Sequence, residues 1–172
     1  MGFKEVLSKV KKSEDFRNFE KEHSEAFLYA GFFVINEADQ LEQQQLDFYM
    51  GHGKVKTFML VADEKGNEAV MMKEEEVAKD TDISPLDKTI AIDLDEAREI
   101  IKKECKKEGM QVSKIIAILQ KLQGEQIWNV TVLLPSLFML RLHINMNGQV
   151  IERKKGTVFD VMKKKSENKQ VG

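Results

Sequence analysis

Apolar residues follow two patterns along this chain, one with helical spacing and one with the two-residue spacing of strands. Over residues 3–10 they recur every three to four positions, which predicts a helix. A second helical pattern follows Ser13, a residue type that favours the N-cap position, and carries Phe16, Phe19 and Phe27. The N-terminal segment is therefore expected to be helical, in one or two pieces.

From residue 32 the pattern changes to short apolar or alternating runs separated by turn residues. Runs at 32–35, 46–50, 55–61 and 69–72 are rich in aromatic and β-branched residues or alternate with polar ones, which predicts four strands. The segment Gly51-His52-Gly53 and the segment Asp63-Glu64-Lys65-Gly66 are typical of tight turns. These spacings predict a four-strand meander.

The second half repeats the order of helix and then strands. Asp93 or Asp95 is the expected N-cap of a helix that ends at Gly109, with lysines near its C-terminus. Strands are predicted at 114–119, 127–133, 137–144 and 149–152, with a turn at Asn145-Met146-Asn147-Gly148.

The two halves can be aligned at an offset of 82 residues. That offset places Asp63–Gly66 opposite Asn145–Gly148, and Gln45-Leu46-Asp47-Phe48 opposite Ile127-Trp128-Asn129-Val130. Self-similarity of this kind indicates repeated supersecondary units. We therefore expect an α+β fold of two tandem helix-plus-antiparallel-sheet units, packed sheet to sheet or side by side in one extended sheet. The expected division is a first unit at 1–78, a connector at 79–92, a second unit at 93–160 and a basic polar tail at 161–172.

The second half resembles the PepSY domain, a small helix-plus-antiparallel-sheet module. The resemblance rests on the helix Asp95–Glu108, the strand Ile127-Trp128-Asn129-Val130-Thr131-Val132 and the hairpin around Asn147-Gly148. It covers roughly residues 90–155, and the first half is similar to a degenerate copy. The resemblance implies a cystatin-like fold and a binding or inhibitory role, as proposed for PepSY domains in peptidase propeptides and cell-envelope proteins.

Composition excludes several classes of protein. Apolar residues make up 42% of the 172 residues and charged residues 33%, which is enough apolar material for a packed core. The net charge of −2 argues against a basic nucleic-acid binder. A single cysteine, Cys105, excludes an intrachain disulfide and a cysteine-based zinc site. No secretory leader and no apolar run of membrane-spanning length is present, so we expect a cytoplasmic protein with no membrane partner.

The residues that usually carry chemistry are isolated. His23, His52 and His143 each lack a second histidine within five positions, so no metal site is expected. Cys105 lies on the apolar stripe of its predicted helix, which favours a buried residue over a nucleophile. Because the chain has no GxGxxG, P-loop or GxSxG motif, we predict no enzymatic activity and no cofactor.

Charge is distributed unevenly along the chain. Residues 63–87 hold nine acidic and three basic side chains, whereas residues 151–172 hold seven basic and three acidic ones. A solubilising tail, or internal pairing with the acidic segment, explains this pattern more simply than nucleic-acid binding, because only Phe159 offers a stacking platform there.

These observations favour a non-enzymatic binding module that contacts a peptide, a protein or a second copy of itself through a sheet face or edge. Trp128 and Phe48 are the residues expected at such a surface. The alternative is a small-ligand-binding protein with a pocket between sheet and helix, to which Asp47, Asn129 and His143 would converge.

Overall fold

The computed structural model describes residues 1–77, 83–109, 111–160 and 162 of the 172-residue chain. Its elements alternate between short helices and groups of four strands. In chain order they are α1 (Phe3–Lys12), α2 (Glu14–Glu22), β1 (Phe27–Asn36), β2 (Leu41–Gly51), β3 (Lys54–Ala62), β4 (Glu68–Glu76), α3 (Leu94–Glu108), β5 (Lys114–Leu122), β6 (Glu125–Leu133), a 3-10 turn (Pro135–Leu137), β7 (Phe138–Asn145) and β8 (Val150–Thr157).

All eight strands form one antiparallel sheet in the order β4-β3-β2-β1-β5-β6-β7-β8. The predicted fold class, two tandem helix-and-sheet units, is therefore wrong. The first strand of each meander pairs with the other, from Ala30 opposite Gln120 to Asn36 opposite Lys114, and this pairing makes the sheet continuous. Hydrophobic spacing reports strands, but the partner of an edge strand depends on contacts that are distant in sequence.

The internal repeat is present as repeated topology. Each half is a helix or helix pair followed by a four-strand meander. The turn at Asp63–Gly66 joins β3 to β4, and the turn at Asn145–Gly148 joins β7 to β8. Gly66 and Gly148 both have positive φ, of 80° and 77°, so the aligned glycines meet the same backbone requirement.

A single hydrophobic core lies between the sheet and helices α1, α2 and α3. Phe3 of α1 packs edge-on against Phe33, and Phe16 and Phe19 of α2 pack against Phe48 and Phe58. Ala97, Ile101 and Cys105 of α3 belong to the same buried cluster. Both halves of the chain therefore bury one face of a shared sheet.

Three segments of the chain differ from their prediction or lie partly outside the described residues. The acidic run Glu74-Glu75-Glu76 follows the predicted strand 69–72, but in the structure it is the end of β4 and pairs with Lys54–Lys56. Cross-strand pairs of opposite charge, such as Lys56 and Glu74 at 3.1 Å, make that strand favourable. Within the predicted connector 79–92, the structure describes only residues 83–92. The predicted basic tail, 161–172, lies outside the described residues apart from residue 162.

One carboxylate caps two helices that come from different halves of the chain. Asp93 Oδ1 accepts hydrogen bonds from the backbone N–H groups of Phe3 and Leu94, each at 2.6 Å. The Glu96 carboxylate accepts the Asp93 N–H at 3.0 Å, which completes a capping box on α3. A Cβ on Gly2 would lie 2.9 Å from both Asp93 oxygens, so glycine allows α1 to approach this closely.

We expect Asp93→Ala to lower the free energy of unfolding by about 2 kcal/mol or more, because a single N-cap contributes ~0.5–2 kcal/mol and this residue caps two helices. Urea denaturation followed by circular dichroism measures the loss. Asp95→Ala is the matched control, since Asp95 is an exposed carboxylate of the same helical turn that caps no helix. Equal losses in the two variants would contradict the shared cap.

Candidate functional site

The sheet has a second face that no described helix covers. Alternate residues of every strand point to this open face, and one cross-strand row can be followed through all eight strands. That row is Met71, Met59, Gln45, Phe32, Ile118, Asn129, His143 and Glu152. The row is apolar at its centre and polar on either side of that centre.

Four apolar side chains lie at the middle of the open face, on the two central strands. Phe32 pairs with Ile118 and Val34 pairs with Ile116 across β1 and β5. All four are only partly buried, and among the described residues none belongs to the core cluster beneath the helices. We call Phe32, Val34, Ile116 and Ile118 the central strip.

A chain of hydrogen-bonded polar side chains runs along β2 on one side of the central strip. Gln43 donates to Gln45 and Gln45 donates to Asp47, each at 3.0 Å, and the buried hydroxyl of Thr57 donates to Asp47 Oδ1 at 2.7 Å. Burial raises the pKa of Asp47, against the effect of the two donors. Burial, with Asp47 and Glu75 nearby, also raises the pKa of Tyr29 to about 12.

On the other side of the strip, five polar side chains of β6, β7 and β8 line a depression of about 160 Å³. They are Asn129, Arg141, His143, Glu152 and Lys154, and we call this depression the basic pocket. Glu152 is its one carboxylate: it lies 2.9 Å from His143 Nδ1 and 2.7 Å from Lys154 Nζ. Its hydrogen bond with Lys154 and the nearby His143 hold the pKa of Glu152 below its usual range.

The two residues expected at an interaction surface lie on the other face. Trp128 is fully buried under α3, and its Nε1–H donates to the carbonyl of Ile92 at 2.8 Å. Phe48 is 5% exposed and packs against Phe16, Phe19 and Phe58. The placement of Trp128 and Phe48 on a contact surface is therefore corrected. An aromatic residue in an alternating strand indicates a face, but it does not indicate which face the helices cover.

The three strand residues expected to converge are only partly brought together. Asp47, Asn129 and His143 all point to the open face, and Asn129 lies directly opposite His143. Asp47 lies on the far side of β1 and β5, next to Ala30. The small-ligand pocket that would contain all three is therefore not formed.

Cys105 and His23 do not lie on the open face, because they belong to α3 and to the end of α2. Cys105 is buried, and burial raises the pKa of its thiol to about 11, which makes it a poor nucleophile at neutral pH. His23 ends α2 and its ring lies 5.2 Å from that of Phe19. Within the described ranges, no group of three or more His, Cys, Asp or Glu side chains is placed to bind a metal ion.

Sequence reasoning missed the central strip and the role of Arg141, Glu152 and Lys154. The alternation Leu140-Arg141-Leu142-His143-Ile144 carried a signal, because it places Arg141 and His143 on one face. The predicted strand 149–152 contains Glu152 but ends before Lys154, which belongs to the same strand in the structure.

No protein-family model and no curated protein matches the chain, so the resemblance to PepSY domains stays a prediction. Among solved structures, the crystal structure of a candidate lipoprotein from Clostridium difficile 630 is similar, with a TM-score of 0.55 and 13% sequence identity. The match covers 83% of this chain and 91% of that one. At this identity the similarity concerns the fold alone. No helix in the described part of the chain has the length and apolar character needed to cross a membrane.

We expect Asp47→Asn to be more stable than the wild type at neutral pH, with the difference vanishing below about pH 3.9, the unfolded pKa of Asp. Because the folded pKa of Asp47 is raised, the folded state binds the proton more tightly than the unfolded chain. Its ionisation therefore lowers the free energy of unfolding as pH rises from the unfolded pKa through the folded one. Urea unfolding of both proteins across this pH range measures the effect.

Asp63→Asn is the control of opposite sign. Hydrogen bonds from Asn67 hold the pKa of Asp63 below its usual range. Its stabilising effect is thus present above the unfolded pKa and is lost as pH falls through the folded pKa. Asp63→Asn should therefore be less stable than the wild type at neutral pH. The same sign for both variants would show that burial of Asp47 is not the cause.

Proposed function

We propose that this protein is a non-enzymatic binding module that uses the open face of its sheet as an interface with another protein. The observation that supports this most directly is the central strip. Four apolar side chains sit at the middle of a large uncovered face, with amides and charged groups around them. An apolar centre with a polar rim is the usual anatomy of a protein–protein interface.

The size of the open face supports the same proposal. Eight strands span about 34 Å across the sheet, at about 4.8 Å per spacing, and eight-residue strands are about 26 Å long. The face therefore offers roughly 900 Å², close to the ~800 Å² per partner of a standard interface. A sheet of this width exceeds what a short peptide would cover.

The pockets give less support to the alternative, a small-ligand-binding protein. The basic pocket, at about 160 Å³, and a depression of about 220 Å³ beside α2 are smaller than the roughly 300–1,000 Å³ of typical ligand sites. A third depression, of about 340 Å³ between α1 and β3–β4, is large enough. It is crossed by the ion pair of Lys9 with Glu68, at 2.7 Å.

We expect Ile118→Lys to weaken partner binding by at least about tenfold, because it places a charge in the centre of the interface, where the cost of desolvation is greatest. The wild type and the variant are immobilised and exposed to an extract of the source organism. A protein retained by the wild type is then purified, and its affinity for both chains is measured by calorimetry. Light scattering of the wild type alone tests whether the partner is a second copy.

Two neighbouring methionines provide a matched pair of controls. Met71, 51% exposed, points to the open face, whereas Met72, 43% exposed, pairs with Phe58 on the helix-covered face. Met72→Lys should keep wild-type affinity and Met71→Lys should reduce it. The fluorescence of buried Trp128 verifies that each variant is folded. Unchanged binding by folded Ile118→Lys would contradict the proposal.

A further inference from the structure

The basic pocket contains a guanidinium group without a partner among the described residues. Arg141 is exposed, and it makes no hydrogen bond or ion pair with any residue that the structure describes, although it lies close enough to Glu152 to lower the pKa of that carboxyl. Its two cross-strand neighbours on the open face are Thr131 and Lys154. A guanidinium presents five N–H donors in a fixed planar arrangement, so Arg141 keeps its full capacity to donate.

The other groups of the pocket set its charge. The Glu152 carboxylate contacts both the Lys154 ammonium and His143 Nδ1, and its negative charge offsets the positive charge of Lys154. The charges of Arg141, Lys154 and Glu152 leave a net charge of +1 on these three groups of the pocket. Asn129 lies directly opposite His143 and adds an amide that can donate.

Size and charge together select the ligand. A depression of about 160 Å³ admits a group of side-chain size. A net charge of +1 matches a monoanion, and Glu152 would repel a phosphate dianion in so small a space. Carboxylates also match the guanidinium geometry, because they accept two parallel N–H bonds from one arginine.

We propose that the basic pocket is a binding site for a carboxylate of the partner protein, either an Asp or Glu side chain or a chain terminus. Arg141, with Asn129 and His143, binds this carboxylate. This proposal rests on the proposed function, because it specifies the chemistry of the group that docks beside the central strip. The partner then places an apolar patch against Phe32 and Ile118 of the central strip. It places an acidic group against β6 and β7 on the same face, on the side of the strip away from Gln45.

The carboxylate site can be tested on the protein alone, without the partner. Acetate is titrated into the isotope-labelled chain at neutral pH and constant ionic strength, and side-chain signals of Arg141, Asn129 and His143 are followed by NMR. We expect saturable shifts confined to these side chains and their neighbours on β6–β8. Arg141→Gln should weaken the binding by about tenfold, the effect of losing a charge-assisted hydrogen bond.

Three comparisons make the result decisive. Lys103→Gln removes an exposed cation from α3, on the opposite side of the sheet, and should bind like the wild type. Arg141→Lys keeps the charge but lacks the paired donors, and should bind more weakly than the wild type. Inorganic phosphate should bind no more tightly than acetate. Tighter phosphate binding, shifts that do not saturate, or an affinity of Arg141→Gln equal to that of the wild type would each contradict the carboxylate site.

The two proposals can fail separately. If the wild-type protein binds no anion but Ile118→Lys no longer binds the partner, the carboxylate site is wrong and the interface proposal stands. Saturable anion binding at Arg141, with partner binding unaffected by Ile118→Lys, would overturn the interface on the open face.

Discussion

The pairing of β1 with β5 is the constraint on which the rest of the structure depends. It joins the first strands of two similar meanders in antiparallel orientation. Two equivalent strands paired in this way are related by an approximate twofold axis perpendicular to the sheet. Such an axis maps each face of the sheet onto itself, so the helices of both halves must lie on the same face. Of α1, α2 and α3, none covers the opposite face of the sheet.

The same pairing decides which apolar residues are buried under helices and which remain on the open face. In β1, Phe33 and Ile35 point to the helices, and Phe32 and Val34 point away. A continuous run of apolar residues is expected of a strand that is covered on both sides. Here the second cover is absent from the described chain, and this is the physical basis for assigning an interface to that face.

The open face has diverged between the two halves while the core has not. Leu46 and Trp128 are aligned by the repeat, and both are fully buried and apolar. Asp47 and Asn129, the next aligned pair, have different surroundings. Asp47 is a half-buried carboxylate that accepts hydrogen bonds from Gln45 and Thr57. Asn129 is an amide beside Arg141 and His143. Core positions are constrained by packing, whereas exposed positions are free to acquire different charges.

The sequence by itself determined the local structure. Alternation and turn residues predicted eight strands, and Ser13, together with Asp93 or Asp95, was predicted as an N-cap, because these features depend on neighbours within a few residues. The offset of 82 residues identified the repeat. Only the tertiary structure decided that β1 pairs with β5, that Trp128 and Phe48 face the helices, and that Arg141, His143 and Lys154 share one pocket. A strand carries the same alternation whichever face is covered, so the choice of face comes from packing between segments that are distant along the chain.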